Sequence, residues 1–261
     1  MRNSRIDWCD STWNPISGCL HGCPYCYARR MVTRFGKVLP DRSGTGLELY
    51  GDERLHILDE EIKGNPYPYG FEPTFHSSRL DVPQKWKKPQ TVFVCSMADL
   101  FGRWVPDEWI RAVFAAADLA PQHKYLFLTK NPLRYSHLPD DCFRRKKAEF
   151  WFGTTVTSEE DISRIVDLSA SWRRNVPWFC SVEPLCGDVG EDGAEHLAAM
   201  DWVILGAENG YREGKVYPKR EWVDRIVERC DRSGTPVFMK ESLRHLMGDD
   251  MRQAFPWGII R

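Results

Sequence analysis

The sequence contains no run of 18 or more apolar residues, which is the length needed for a helix to cross a membrane. Its first eight residues lack the apolar segment of a secretory signal peptide. Charge is nearly balanced, with 36 Lys and Arg against 37 Asp and Glu, and this argues against a strongly basic nucleic-acid binder. Internal repeats and low-complexity tracts are also lacking. We therefore expect a soluble, cytoplasmic, globular protein without a membrane partner.

Nine cysteines are present, and most of them stand alone within apolar segments. Disulfides are rare in the cytoplasm, and an odd number of cysteines is a poor basis for a disulfide framework. Unpaired cysteine is among the most frequently buried residue types. We therefore predict core positions for Cys95, Cys180, Cys142, Cys186 and Cys230.

One segment, Cys19-Leu20-His21-Gly22-Cys23-Pro24-Tyr25-Cys26, places three thiols within eight residues. Its glycines and prolines predict a loop, and thiolates that converge from one loop favour an iron–sulfur cluster or zinc. At the spacing C-x3-C-x2-C, the three cysteines would bind three irons of a 4Fe–4S cluster and leave the fourth iron open for chemistry. The alternative is a structural zinc site, completed to four ligands by Cys9 or His21.

The segments on either side of residue 37 differ in character. The cluster loop spans 9–27, and an arginine-rich helix is predicted for Tyr27–Phe35, ending at Gly36. Residues 37–90 are rich in Gly and Pro and predict a long, mostly irregular insertion with short helices around 55–62 and 80–86. An insertion of this length is either a lid or substrate-binding element, or a plain surface excursion.

From residue 91 onward, short apolar runs alternate with helical patterns. Strands are predicted at 91–95, 124–129, 150–156, 177–182, 201–205 and 236–239, with helices beginning near Pro106, Asn131, Ser158 and Lys219. Strands that are apolar throughout are buried on both faces, which is typical of a parallel sheet covered by helices. We expect one α/β domain over 1–261. It has a partial (β/α)6-type barrel of parallel strands at 91–241 and a C-terminal tail at 242–261, and a doubly wound open sheet is the alternative.

Polar side chains follow almost every predicted strand. In a (β/α) barrel the carboxyl ends of the strands carry the active site, so these residues are candidates for binding and catalysis. They are Ser96, Asp99, Thr129, Lys130, Thr154, Thr155, Thr157, Ser181, Glu183, Glu208, Asn209, Lys240 and Glu241.

The cysteine loop resembles the cluster motif of radical S-adenosylmethionine (radical SAM) enzymes, including the aromatic Tyr25 directly before the last cysteine. Further segments between Trp8 and Lys240 resemble, in order, motifs of the phage-associated radical SAM-like family, whose function is unknown. These segments are 13–19, 96–101, 127–132, 181–185 and 202–210.

The resemblance implies an activity and a set of site residues. Cys19, Cys23 and Cys26 would hold a 4Fe–4S cluster, whose open iron binds S-adenosylmethionine before its reductive cleavage to methionine and a 5′-deoxyadenosyl radical. An electron donor of the flavodoxin or ferredoxin type would be the partner. Roles in binding the cofactor are implied for Tyr25 (adenine), Ser96 and Asp99 (amino group), Lys130 (carboxylate), and Thr155 or Thr157 (ribose). Glu183, Glu208 and Lys240 are then the candidates for substrate binding or proton transfer.

The implied reaction is hydrogen abstraction from an organic substrate. The Ser-x-x-Asp and Thr-Lys segments are similar to those of spore photoproduct lyases, which are radical SAM enzymes acting on DNA, and this favours a nucleic acid or nucleotide. Stacking and phosphate contacts would come from Trp86, Trp104, Trp109, Trp151, Lys85, Lys87, Lys88 and the basic run 144–147. The stronger alternative is that these tryptophans fill the core and that the basic run is a solvated face. Peptides and small metabolites stay open as substrates. The alternative function is a non-catalytic protein, stabilised by an iron–sulfur cluster or zinc, that binds nucleic acid or protein.

Overall fold

The structure is a computed structural model that describes residues 4, 6–38, 48–50, 53–138, 142, 147–170 and 176–258. The chain divides into two compact units. The first contains Met1–Arg5, Cys9–Phe127 and Leu138–Phe150, and the second contains Ile6–Trp8, Leu128–His137 and Trp151–Arg261. None of the helices described is both long enough and apolar enough to span a lipid bilayer.

The strands fall into two sheets. In chain order they are β1 (Ser11–Trp13), β2 (Ile16–Ser17), β3 (Glu48–Tyr50), β4 (Glu53–Leu58), β5 (Thr74–His76), β6 (Thr91–Val94), β7 (Lys124–Thr129), β8 (Glu149–Thr155), β9 (Trp178–Val182), β10 (Trp202–Leu205) and β11 (Val237–Met239). The larger sheet is parallel, in the order β1-β6-β7-β8-β9-β10-β11. The smaller sheet is mixed, in the order β2-β5-β4-β3.

Helices alternate with the strands of the larger sheet. They are α1 (Tyr27–Phe35), α2 (Asp107–Asp118), α3 (Ser163–Ala170), α4 (Gly190–Ala198), α5 (Arg220–Ser233) and α6 (Arg244–Met247). The predicted α/β class with a partial barrel of parallel strands is confirmed, and the six predicted strands correspond to β6–β11. Sequence analysis did not predict β1, because two of its three residues are polar and the run is too short to show a pattern. Helix α1 has the predicted bounds.

Each unit has an aromatic core. In the first, Phe114, Phe127 and Phe150 pack with ring centroids 5.0–5.4 Å apart. In the second, Trp202 packs 6.0 Å from Phe179 and 5.6 Å from Phe255. All residues of β9 and β10 are buried, as expected for a sheet covered on both faces.

All nine cysteines lie in the described part of the chain, and none is joined to another by a disulfide. The core positions predicted for Cys95, Cys142, Cys180 and Cys230 are confirmed. The prediction for Cys186 is wrong, because this residue is only partly buried. It lies beyond the end of β9, outside the run of apolar residues that buries Cys180.

The insertion is more regular than the sequence suggests. The helix expected around 55–62 is wrong, since Leu55–Leu58 belongs to β4, which pairs in parallel with β5. Pairing with a strand almost twenty residues away overrides the local helical pattern. A 3-10 turn at Pro83–Lys85 falls within the second expected helix, whereas 39–47 and 51–52 lie outside the described residues. The insertion therefore contributes three strands to the smaller sheet.

Candidate functional site

The cysteine loop lies in the first unit, between β2 and α1. It begins at Gly18, whose φ is +82° and whose amide donates to the carbonyl of Met97 at 3.0 Å. The amide of Cys19 then donates to the carbonyl of Phe71 at 3.2 Å. A Cβ atom on Gly18 would lie 2.2 Å from the carbonyl oxygen of Glu72. Glycine is therefore required here, because the backbone has a positive φ and passes this close to a neighbouring segment.

The loop ends at the N-terminus of α1. Cys26 is the N-cap residue, and its Sγ accepts a hydrogen bond from the amide of Arg29 at 3.3 Å. The hydroxyl of Tyr27 donates to the carbonyl of Ser96 at 2.5 Å. A helix N-terminus carries positive partial charge, so it favours a thiolate at this position. The last cysteine is thus fixed by the first turn of the helix.

The three thiols interact electrostatically. Burial raises the pKa of Cys19 to about 12, and the carboxylate of Asp99 acts in the same direction. The backbone of His21 lowers that pKa, whereas Cys23 and Cys26 raise it further. A bound cluster would oppose this rise in pKa, because the positive charge of the metal stabilises the thiolate form of its ligands.

The two candidate fourth ligands of a zinc site contact other groups. Cys9 is buried, and its Sγ lies 3.5 Å from Oγ of Ser4. Nε2 of His21 lies 2.7 Å from Oδ2 of Asp99. Among the described residues, no three His, Cys, Asp or Glu side chains are grouped closely enough to hold a single metal ion. The loop itself offers three thiols, which is the donor set of a cluster with one open iron.

Two residues predicted to bind the amino group of S-adenosylmethionine lie in the same unit. Asp99 is buried, and its Oδ1 accepts from the amide of Phe101 at 3.0 Å while its Oδ2 faces His21. Oγ of Ser96 donates to Oδ1 of Asn14 at 3.1 Å. Asn14 also accepts from the amide of Met97 at 3.0 Å, so it ties the end of β1 to the segment after β6. Sequence reasoning assigned Asn14 no role, because the strand that it follows, β1, is too short to be seen in the sequence.

The remaining predicted residue of the first unit, Tyr25, is partly exposed on the cysteine loop. In this unit, therefore, Asp99 contacts the cysteine loop at His21, and the Ser96 segment contacts the first residue of α1, Tyr27. All other predicted cofactor-binding and catalytic residues belong to the second unit.

In the second unit, Lys240 and Glu183 form an ion pair at the carboxyl ends of β11 and β9. The side chain of Lys240 is 10% exposed and that of Glu183 is 23% exposed. Gly206, at the end of the intervening β10, lies against both, since a Cβ atom there would be 3.0 Å from Cδ of Lys240 and 3.2 Å from Cγ of Glu183. The small residue leaves room for the pair to meet across the middle strand.

Glu208 is held by a partner that the sequence analysis did not identify. Its two carboxylate oxygens accept from Nε and Nη2 of Arg212 at 2.8 and 2.9 Å, and the Glu208 side chain is 2% exposed. Arg212 follows by four residues, which is a common spacing for ion pairs in helices, but the segment is a loop. Burial raises the pKa of Cys186, and Glu208 and Lys130 are among the charges that influence it.

The predicted ribose-binding threonines are buried. The amide and hydroxyl of Thr157 both donate to Oδ2 of Asp161, at 2.9 and 2.6 Å. The carbonyl of Thr155 accepts from Arg164 at 3.0 Å. The helix expected to begin at Ser158 starts as a 3-10 turn, Glu159–Asp161, and Ser158 makes no capping hydrogen bond through its side chain. Asp161, within this turn, instead ties the turn to the preceding segment by accepting from Thr157.

The predicted stacking residues do not form a surface. Trp104, Trp109 and Trp151 are 4–6% exposed, so the stacking hypothesis is wrong for these three and the stronger alternative, a position in the core, is confirmed. These indoles fill the apolar interior, where large aromatic rings bury the most surface. Trp86 is partly exposed and packs edge-on against His123. Residues 144–146 of the basic run lie outside the described residues.

Comparison with protein families identifies the chain. A family model described as "Protein of unknown function (DUF5131)" matches residues 3–252. The chain belongs to the DUF5131 family. No curated protein sequence matches this DUF5131 chain. The association with phages stays a prediction, because the family description states no source.

Solved structures of spore photoproduct lyase share the fold of this DUF5131 protein. A cysteine-to-serine mutant has a TM-score of 0.51 and 12% identity, over 92% of this chain and 79% of the lyase. A double mutant with bound AdoMet and dinucleoside spore photoproduct has a TM-score of 0.55 and 11% identity, over 91% of this chain and 79% of the lyase. The lyase complexed with dinucleoside spore photoproduct has a TM-score of 0.51 and 11% identity, over 86% of this chain and 74% of the lyase. The DUF5131 chain therefore shares its fold with spore photoproduct lyase.

Proposed function

We propose that this DUF5131 protein is a radical SAM enzyme that abstracts hydrogen from an organic substrate. The observation that carries the proposal is a loop with three cysteines at the spacing C-x3-C-x2-C, in a chain whose fold is shared with spore photoproduct lyase. An electron donor of the flavodoxin or ferredoxin type belongs to the proposal. The alternative, a non-catalytic protein stabilised by a cluster or zinc, needs a fourth protein ligand for its metal.

Cys19, Cys23 and Cys26 are the residues that would hold the 4Fe–4S cluster. When bound, the cluster supplies the electron that cleaves S-adenosylmethionine to methionine and the 5′-deoxyadenosyl radical. Asp99 offers a buried carboxylate next to the cysteine loop, which suits the ammonium group of the cofactor. Asn14 fixes Ser96 beside it.

The second unit offers groups for binding and proton transfer. The ammonium of Lys240 is a proton donor and the carboxylate of Glu183 an acceptor, and their shared burial keeps the pair in one arrangement. Arg212 orients Glu208 through two hydrogen bonds to its carboxylate. The roles of Lys130, Thr155, Thr157 and Tyr25 in binding the cofactor stay predictions, which rest on the resemblance to radical SAM enzymes.

Electron paramagnetic resonance tests the proposed function. Anaerobically reconstituted and reduced protein should give a 4Fe–4S signal, and the signal should change shape when S-adenosylmethionine is added, because the cofactor binds the open iron. A colourless protein that contains zinc would contradict the proposal and favour the non-catalytic alternative. A cluster signal that keeps its shape when S-adenosylmethionine is added would argue for a cluster with four protein ligands.

A nucleic acid is the substrate class that we propose. The loop 207–219 between β10 and α5 presents Tyr211 (92% exposed) and Tyr217 (66% exposed), the most exposed aromatic side chains in the described part of the chain. Nζ of Lys215 lies 4.9 Å from the ring centroid of Tyr217. Exposed aromatic rings beside cations are the usual platform for unpaired bases and their phosphates. The lyase structure with dinucleoside spore photoproduct is consistent with this class.

Replacing both Tyr211 and Tyr217 by alanine should weaken the binding of single-stranded DNA at least about tenfold, since each base–aromatic stack contributes roughly 1–3 kcal/mol. Fluorescence anisotropy across a salt series measures this. Leu119→Ala, which truncates an equally exposed apolar side chain in the first unit, is the control and should bind like the wild type. Wild-type protein without salt-dependent affinity would exclude a nucleic-acid substrate, and an unaffected double variant would exclude this loop.

A further inference from the structure

We infer that residues 67–73 of the insertion are the seat of the cysteine loop, and that Arg29 is a positioning residue that ties the loop to this seat. The inference rests on the proposed cluster and extends it, because it assigns a role to the insertion 37–90 and to α1. The insertion then acts as a support for the cofactor loop, in contrast to a lid.

Arg29 contacts both ends of the cysteine loop and the insertion. Its Nη2 donates to the carbonyl of Cys19 at 3.2 Å, and its backbone amide donates to Sγ of Cys26 at 3.3 Å. Its guanidinium carbon lies 4.7 Å from the ring centroid of Phe71, which is a cation–π distance. One residue thus contacts the last cysteine through its backbone, and the first cysteine and the insertion through its side chain.

The backbone of the seat contacts the loop directly. The carbonyl of Phe71 accepts from the amide of Cys19, and the carbonyl of Glu72 lies against Gly18. Cys26 packs in a small apolar cluster that includes Tyr67 and Phe71. Both the first and the last cysteine are therefore positioned by the same short segment.

The remaining members of this apolar cluster come from α1 and from the segment after β6. Ala28 and Val32 lie on the buried face of α1, and Met97 follows β6. The amide of Gly18 donates to the carbonyl of Met97, which also connects this segment to the loop. Packing and hydrogen bonding thus hold the loop from two sides.

The seat is itself fixed by the smaller sheet. Oε2 of Glu72 lies 2.5 Å from Nε2 of His56, a fully buried residue of β4. The ring of His56 stacks on Tyr69 at a centroid distance of 4.0 Å and an angle of 3°. Residues 69 and 72 are therefore held to a strand, and the seat does not depend on the loop for its shape.

The positive charge of Arg29 and its fixed position against Phe71 suit a loop that holds three thiolates. The planar guanidinium of an arginine can stack on an aromatic ring while it donates a hydrogen bond to a carbonyl. A lysine keeps the charge but not the planar contact. The stability of a bound cluster should therefore depend on Arg29 and Phe71 together.

Cluster loss from the full-length, anaerobically reconstituted protein tests the inference. The rate is followed by visible absorbance after addition of an iron chelator, and iron and sulfide per chain are measured at the start. We expect Arg29→Gln and Phe71→Leu each to lose the cluster roughly tenfold faster than the wild type. The double variant should lose the cluster only about as fast as either single variant, roughly tenfold faster than the wild type, because both changes break the same contact.

Arg34→Gln is the matched control, since it removes the same charge near the end of the same helix and should behave like the wild type. Arg29→Lys should lose the cluster faster than the wild type, but by a smaller factor than Arg29→Gln. If both Arg29 variants lose the cluster at a rate within twofold of that of Arg34→Gln, the inference is wrong while the proposed function stands. Wild-type protein that takes up no cluster would instead overturn the proposed function and this inference with it.

Discussion

Replacement of any one of Cys19, Cys23 and Cys26 by serine is expected to remove the cluster and to lower S-adenosylmethionine cleavage at least about a hundredfold. Each thiolate would bind a different iron, and a serine hydroxyl is a poor ligand for a soft metal centre. Iron and sulfide content, the reduced spectroscopic signal, and the formation of 5′-deoxyadenosine measure the effect.

Cys9→Ala is the control for this experiment. Cys9 belongs to the same unit but is buried beside Ser4, so its removal should leave the metal content and the cleavage reaction unchanged. Release of the metal by Cys9→Ala alone would mean that four protein ligands hold it, and the site would then be structural. Retention of a full cluster in all three serine variants would contradict the assignment of the ligands.

Gly18→Ala is expected to destabilise the apoprotein by about 3 kcal/mol. A side chain at φ +82° costs roughly 1–2 kcal/mol, and the new Cβ would meet a backbone oxygen at 2.2 Å, which adds a cost of overpacking of about 1–3 kcal/mol. For a chain of this size the midpoint of thermal unfolding should fall by roughly 10 °C. Differential scanning calorimetry of the metal-free protein measures the shift.

Gly22→Ala separates the two causes. Gly22 lies in the same loop with a similar φ of +69°, but no atom lies within 4 Å of the position of its Cβ. Only the conformational cost of about 1 kcal/mol remains, so its unfolding midpoint should fall by only a few degrees. Equal shifts in the two variants would show that the close approach of Glu72 to Gly18 does not exist in solution.

The sequence was most informative where the signal is local. The apolar runs that became β6–β11 and the pattern of α1 are contained in windows of four to nine residues. Burial of Cys95 and Cys180 follows from the same runs. The spacing of Cys19, Cys23 and Cys26 defines a donor set without reference to the fold. The resemblance to radical SAM enzymes also depended on such short motifs.

Partners at the candidate site were less predictable. Glu208 was predicted as a catalytic carboxylate, but its bidentate contact with Arg212 depends on the path of a loop that has no periodic pattern. The tryptophans Trp104, Trp109 and Trp151 were weighed as stacking residues, and only burial distinguishes a core indole from an exposed one. The exposed aromatic residues are instead Tyr211 and Tyr217.

The sequence by itself therefore determined the class of fold, the order of most strands and the three-thiol loop, because each is encoded by residues that are close along the chain. Only the tertiary structure decided what surrounds the loop. Asn14 bonds to Met97, 83 residues away, and Gly18 passes against Glu72 in the insertion. Such contacts form when the whole chain packs, and no local pattern of side chains specifies them. The pairing of β4 with β5 has the same origin, since the partner strand, and not the local sequence, fixes the backbone of Leu55–Leu58 as extended.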